Sequence, residues 1–267
     1  MPIRILFRCD DAGSSRGANT AIHQAIALGV CRNTSVMVPG PHFAEVKAAF
    51  DDIAHLADFG LHLTLNSEWE QHGEQAPARW GPVLPATAVP SIVLPDGTFK
   101  RFPMENHESH ASLDEMVAEA AAQLDAALAA GLPIAYMDEH MGCGWLPGLR
   151  DRLRGVAHAR GVPCADDARL EGLPHIDNEP GDPWAVLARR ILAAPDGDYI
   201  HVTHPALNDA EGRGMCMKDL PPGRVAGERD LDRRTLCHPE VFAALRERGV
   251  ELLRYSDVLP KVEVAAL

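Results

Sequence analysis

Carboxylates and imidazoles recur in this chain at the ends of short apolar runs. Asp10 and Asp11 follow Ile3–Arg8, and His62 lies in Phe59–Leu65. Asp138 and His140 follow Pro133–Tyr136, and His201 and His204 close the run that begins at Tyr199. Two imidazoles and one carboxylate are a common donor set for a divalent transition ion with an open position for water. Adjacent Asp residues leaving a strand point to opposite sides, so one can hold metal while the other faces a reacting water. The chemistry this suggests is metal-assisted hydrolysis, with a carboxylate taking a proton from water and a second acid protonating the leaving group. Each feature alone has a plainer reading: Asp-Asp before Gly13 as a capped turn, a strand histidine as core. Their shared position at strand ends carries the case. His23, His42, His55, His72, His107, His110, His158, His175 and His238 fall in expected helices or loops and receive no role.

Such residues meet only if the elements carrying them line up. Strands are expected at Ile3–Arg8, Thr34–Val38, Phe59–Leu65, Pro133–Asp138, Val162–Cys164, Tyr199–His204 and Glu251–Tyr255. Helices are expected over 17–28, 42–50, 148–160, 183–193 and 239–248, and the clearest opens at the Ser112-Leu113-Asp114-Glu115 capping box. Alternating strands and helices imply βα units and a parallel sheet. The expected fold is α/β, a single distorted or incomplete (β/α) barrel spanning 1–267, because no Gly-x-Gly-x-x-Gly follows the first strand. A lid-like insertion is expected at about 66–111, with a hairpin at 93–99 turning on Asp96-Gly97. The stretch 206–231 reads as irregular.

Composition narrows the partners. The 267 residues carry 25 Lys and Arg against 38 Asp and Glu, a net charge of −13. That balance argues against nucleic acid or an anionic membrane surface. No apolar run approaches the ~20 residues that span a bilayer, and the N-terminal run turns acidic too soon for a secretory signal. Six Cys occur singly, the pattern of reduced thiols in a cytoplasmic protein. A homodimer is compatible with all of this.

Several segments together resemble the YdjC-like carbohydrate deacetylases, which include chito-oligosaccharide and hopanoid-pathway enzymes and are related to polysaccharide deacetylases. The matching runs are Cys9-Asp10-Asp11-Ala12-Gly13 with Asn19 and Thr34–Val38, then Gly60–Asn66, then Val89-Pro90-Ser91 with Asp96–Phe99. Met137–His140, His201–Pro205, and Arg229–Asp232 with Leu236–Pro239 complete the series. The resemblance implies a polysaccharide-deacetylase-type barrel that removes an acetyl group from an N-acetylated sugar with one divalent metal. Zn or Mg is expected, with Mn, Co or Ni as alternatives. By resemblance Asp11, His62 and His140 are the ligands, Asp10 the base and His204 the acid, and Arg229 orients the site or Asp10. Asp138 is expected to hold a ligand histidine. Trp69, Trp80 and Trp145 lie in loops near the expected rim, and Trp69 and Trp145 are candidates to stack on sugar. Two departures stand out: Met141-Gly142 replaces the usual continuation of His-x-His, and Asp232 and Arg233 replace Glu and Leu. Two other functions share the donor set: a metal-containing sugar-binding protein without turnover, and a non-haem iron oxygenase.

Overall fold

The computed structural model describes residues 2–71, 79–176, 180–217 and 219–262; His72 lies outside them. Along the chain run β1 (Arg4–Ala12), α1 (Arg16–Ala27), β2 (Asn33–Val36), α2 (Phe43–Phe50) and β3 (Asp58–Leu63). Then come β4 (Glu70–Gln71), α3 (Pro103–Glu108), α4 (Leu113–Ala129), β5 (Ile134–Glu139), α5 (Arg150–His158) and β6 (Glu171–Gly172). The remainder is α6 (Pro183–Ala193), β7 (Asp198–Thr203), α7 (Ala210–Arg213), β8 (Met215–Cys216), α8 (Arg224–Leu236), α9 (Pro239–Arg248), β9 (Glu251–Leu252) and α10 (Tyr255–Val258).

The main sheet is parallel, in the order β5-β3-β2-β1-β7-β6, with β9 pairing the first residues of β1. Its two ends are not joined by continuous strand pairing among the described residues. Residues 163–172 cross between them instead. Cys164 makes a single bridge to Met137 of β5, and Glu171–Gly172 pairs with β7. Val162–Cys164 therefore contributes one bridge rather than the expected strand.

Side-chain alternation sorts the sheet into two faces. Ile5, Phe7 and Cys9 pack outward against helices, while Leu6 packs inward with Tyr136, Leu253 and Tyr255. Tyr136 and Tyr255 rings lie 4.0 Å apart. The Tyr136 ring fills the space over Gly60, where any Cβ would sit 2.2 Å from it. α4 buries Met116, Ala120, Leu124 and Ala127 and also Gln123. The Gln123 amide accepts from Thr64 N–H (3.0 Å) and donates to Thr64 C=O (2.7 Å), standing in for a neighbouring strand just beyond β3.

Described parts of the expected insertion are built into the core. Trp80, Val89, Ile92 and Phe99 are buried with Leu61, Leu63 and Leu124, and the 93–99 turn has its Val93–Phe99 bridge with Gly97 at φ 83°. The stretch 206–231, read as irregular, holds α7, β8 and the start of α8. α8 lacks the apolar period of a buried helix, burying only Val225, Ala226, Thr235 and Leu236. It also follows Pro221-Pro222-Gly223, which reads as loop. No helix among the described residues is long and apolar enough to cross a membrane.

Candidate active site

The end of β1 departs from regular pleating. Pairing with β2 shifts register between Cys9 and Ala12, and Asp11 adopts φ 69°, the left-handed region that side chains other than glycine rarely occupy. In a regular strand Asp11 would point away from Asp10. The bulge and the turned backbone bring both carboxylates to one pocket. Asn19 Oδ1 accepts from Gly13 N–H at 2.7 Å and holds the turn that follows.

His62 on β3 and His140 just beyond β5 meet Asp11 there. Asp11 Oδ1 lies 3.4 Å from His62 Nε2 and 3.3 Å from His140 Nδ1, and those two nitrogens are 3.4 Å apart. Ligands about 2.0–2.1 Å from one tetrahedral ion have this mutual spacing. The opposite nitrogen of each ring meets a buried carboxylate: His62 Nδ1 is 3.0 Å from Asp138 Oδ1, and His140 Nε2 is 3.0 Å from Glu68 Oε2. In neutral rings those N–H groups donate to the carboxylates, leaving both facing nitrogens unprotonated, with their lone pairs open to a cation beside Asp11. Asp11 Oδ1 is itself buried without a hydrogen-bond partner, a costly state unless a cation completes it. The donor set fits a divalent ion.

Charge sets the protonation of this cluster. Burial opposes ionisation of Asp11, but Arg229 and the two imidazoles hold its carboxyl well below the usual range. Burial likewise opposes the imidazolium of His140, yet Glu68 and Asp11 push it up to about 9. Asp138 and Asp10, acting against burial, hold His62 well above its ordinary value. In metal-free protein these raised imidazoles contribute stability that is full below about 6.5. The His140 share is lost as pH rises through about 9. The melting temperature of chelated protein should therefore fall across that interval, and metal-loaded protein should lack the fall; melts from pH 6 to 10 check this. Glu68→Gln should weaken metal affinity by about 10–100-fold, read by competition with a chelator.

Two guanidinium groups organise the carboxylates. Arg8, two residues before Asp10 on the same strand face, donates Nε and Nη2 to the two Asp10 oxygens at 2.6 and 2.8 Å. Its Nη1 reaches Asp138 Oδ2 at 2.9 Å and the Tyr255 hydroxyl at 3.0 Å. Arg229, expected to orient the site or Asp10, donates to Asp11 Oδ2 at 2.6 Å. Only the folded arrangement of α8 over β1 distinguishes the two acids. His204 is 46% exposed, with Nε2 4.0 Å from Asp10 Oδ2, and its backbone N–H donates to Asp232 (3.0 Å).

The aromatic residues divide by burial. Trp145 is 45% exposed, with its ring edge-on to His107. Trp69, expected to offer a face to sugar, is only 7% exposed, and the Arg229 guanidinium lies 5.6 Å over its ring. Its ring is occupied by protein. Trp80 is buried, donating to Asn66 C=O at 2.7 Å and packing behind His140. Residues missed from sequence are Arg8, Glu68, Ser35 and Tyr255. Arg8 was signalled by its period-2 relation to Asp10, whereas Glu68 sits in a loop where no period points.

Fold and cluster together define an α/β protein with its reactive groups on the carboxyl rim of a parallel sheet. Comparison with known proteins narrows the class: the chain belongs to the YdjC-like protein family, whose model matches residues 4–247. It is 30% identical to the carbohydrate deacetylase of Thermus thermophilus over 91% of this chain and 89% of that protein. It is 24% identical to the carbohydrate deacetylase of Thermoanaerobacter pseudethanolicus over 94% of this chain and 98% of that protein. The crystal structure of a candidate cellobiose-phosphate cleavage protein from Enterococcus faecalis shares the fold, with TM-score 0.74 at 20% identity, covering 97% of this chain and 100% of that one.

Proposed function

We propose that this chain is a metal-dependent hydrolase that removes the acetyl group from an N-acetylated mono- or oligosaccharide, acting as one domain with Glu68 and Trp80 of the expected insertion beside the site. The observation carrying this reading is the buried, unpartnered Asp11 Oδ1 facing His62 Nε2 and His140 Nδ1, with Asp10 beside them. The curated relatives named carbohydrate deacetylases support the sugar class. Free thiols fit a cytoplasmic setting.

Asp11, His62 and His140 would hold the ion. When bound, a divalent cation supplies polarisation of the amide carbonyl and acidification of water. Two imidazoles favour Zn, Co or Ni over Mg, which prefers oxygen donors.

Asp10 accepts the proton of the attacking water. Arg8 engages both of its oxygens, which fixes the carboxylate plane while each oxygen keeps a lone pair for that proton. Asp138 does not compete for this role. Its Oδ1 faces His62, and its Oδ2 accepts from Ser35 and Arg8. His204, half-exposed with its Nε2 4.0 Å from Asp10 Oδ2, donates a proton to the departing nitrogen, so acetate and a free amine leave. Arg229 holds Asp11 through Oδ2 and keeps Oδ1 turned inward. Trp145 offers its open face to a sugar ring.

The test is acetate release from a panel of N-acetylated mono- and oligosaccharides with Zn, Mg, Mn, Co and Ni supplied in turn. Metal-dependent acetate release without dioxygen consumption is expected, and silence across the panel overturns the activity. His62→Ala should lose bound metal, and stoichiometric metal in that variant overturns the ligand set.

A further inference from the structure

A second constellation lies outside this site, where residues 163–172 cross the gap between the ends of the sheet. His158 ends α5, and Cys164 and Asp167 lie on or next to the crossing segment. One donor atom from each falls within 4.8 Å of the other two. His158 Nε2 is a buried atom without a hydrogen-bond partner, 3.7 Å from Asp167 Oδ2. Cys164 is a free thiol, 8% exposed. Arg154 pairs with Asp167 Oδ1, which leaves Oδ2 on the side of His158 and the Cys164 N–H (3.3 Å). None of these residues takes part in the Asp11 cluster.

We propose that His158, Cys164 and Asp167 form a second metal site, for a zinc-type divalent cation that accepts nitrogen, sulfur and oxygen donors together. Binding replaces the S–H bond of Cys164 with a metal–sulfur bond, and the proton leaves to solvent. The His158 side chain is 39% exposed, so the ion reaches the site from the surface. Its structural effect is to tie the last turn of α5 to the segment that spans the sheet's gap, where strand pairing to β5 contributes a single bridge.

Cobalt titration of chelator-stripped protein tests this independently of the deacetylase reading, because Asp11, His62 and His140 offer no sulfur. A near-ultraviolet thiolate-to-cobalt charge-transfer band is expected to saturate by two equivalents in the unaltered protein, which then offers two sites, and near one equivalent in His62→Ala. It should persist in His62→Ala and vanish in Cys164→Ser with the fold checked by circular dichroism. His158→Gln, altering a part-exposed side chain, should weaken cobalt affinity at this band by about tenfold or more. Absence of the band in the unaltered protein, its persistence in Cys164→Ser, or undiminished affinity in His158→Gln overturns the site.

Discussion

Asp10→Asn should lower kcat for acetate release by about 10²–10⁴, the scale of a positioned general base, while metal content stays at the level of the unaltered protein. The side chain keeps its size and can still accept from Arg8 through its carbonyl oxygen. Its amide nitrogen, however, has its lone pair delocalised into the carbonyl and takes no proton from water. The three proposed ligands are other residues, and Asp11, though adjacent, is held separately by Arg229 at 2.6 Å. Loss of rate with metal retained distinguishes a base from a ligand. A kcat within about threefold of the unaltered protein would mean that the proton goes elsewhere. Asp138 and Glu68 are poor substitutes, because their oxygens already face His62, Ser35 and Arg8, or His140 and Asn66.

The second large effect is on stability. Arg8→Met should cost about 3–5 kcal/mol, the range for removing one partner from a buried charge pair. Asp10 and Asp138 side chains are 3% and 5% exposed, and Arg8 is the guanidinium that touches both. Met fills much of the volume, so the loss is mainly electrostatic. Its pH dependence separates charge from packing. Burial raises the Asp138 carboxyl, but Arg8 and His62 hold it below the ordinary value. A depressed carboxyl contributes stability above its unfolded pKa and loses it as pH falls through the folded one. The gap in melting temperature between variant and unaltered protein should therefore be widest near neutrality and shrink in acid. A gap that stays constant with pH would assign the cost to packing.

How much of this was legible beforehand differs by element. α1, α4, α6 and α9 were readable because caps and apolar spacing lie within a few residues of one another. Ser15, for example, accepts from Ala18 N–H at 2.9 Å. α8 was not readable: its residues are mostly charged, and its place is set by contact with α1, α6 and α7. The consequence for the site is direct, since α8 carries Arg229.

The opening residues show the same division. Local sequence determined that Asp10, Asp11, His62, Asp138 and His140 fall at strand ends, because side-chain alternation and strand length are properties of short segments. The −13 charge and the singly spaced cysteines likewise needed no fold to be read. Tertiary structure alone decided that Asp11 turns to the same side as Asp10, through a register shift and φ 69°. It also decided that Arg229 clamps Asp11 and that Glu68 stands behind His140. Those choices depend on which buried charges find counter-charges across 70 to more than 200 residues of chain. Desolvation makes an unpaired arrangement too costly to persist, and no period in the sequence records such a pairing.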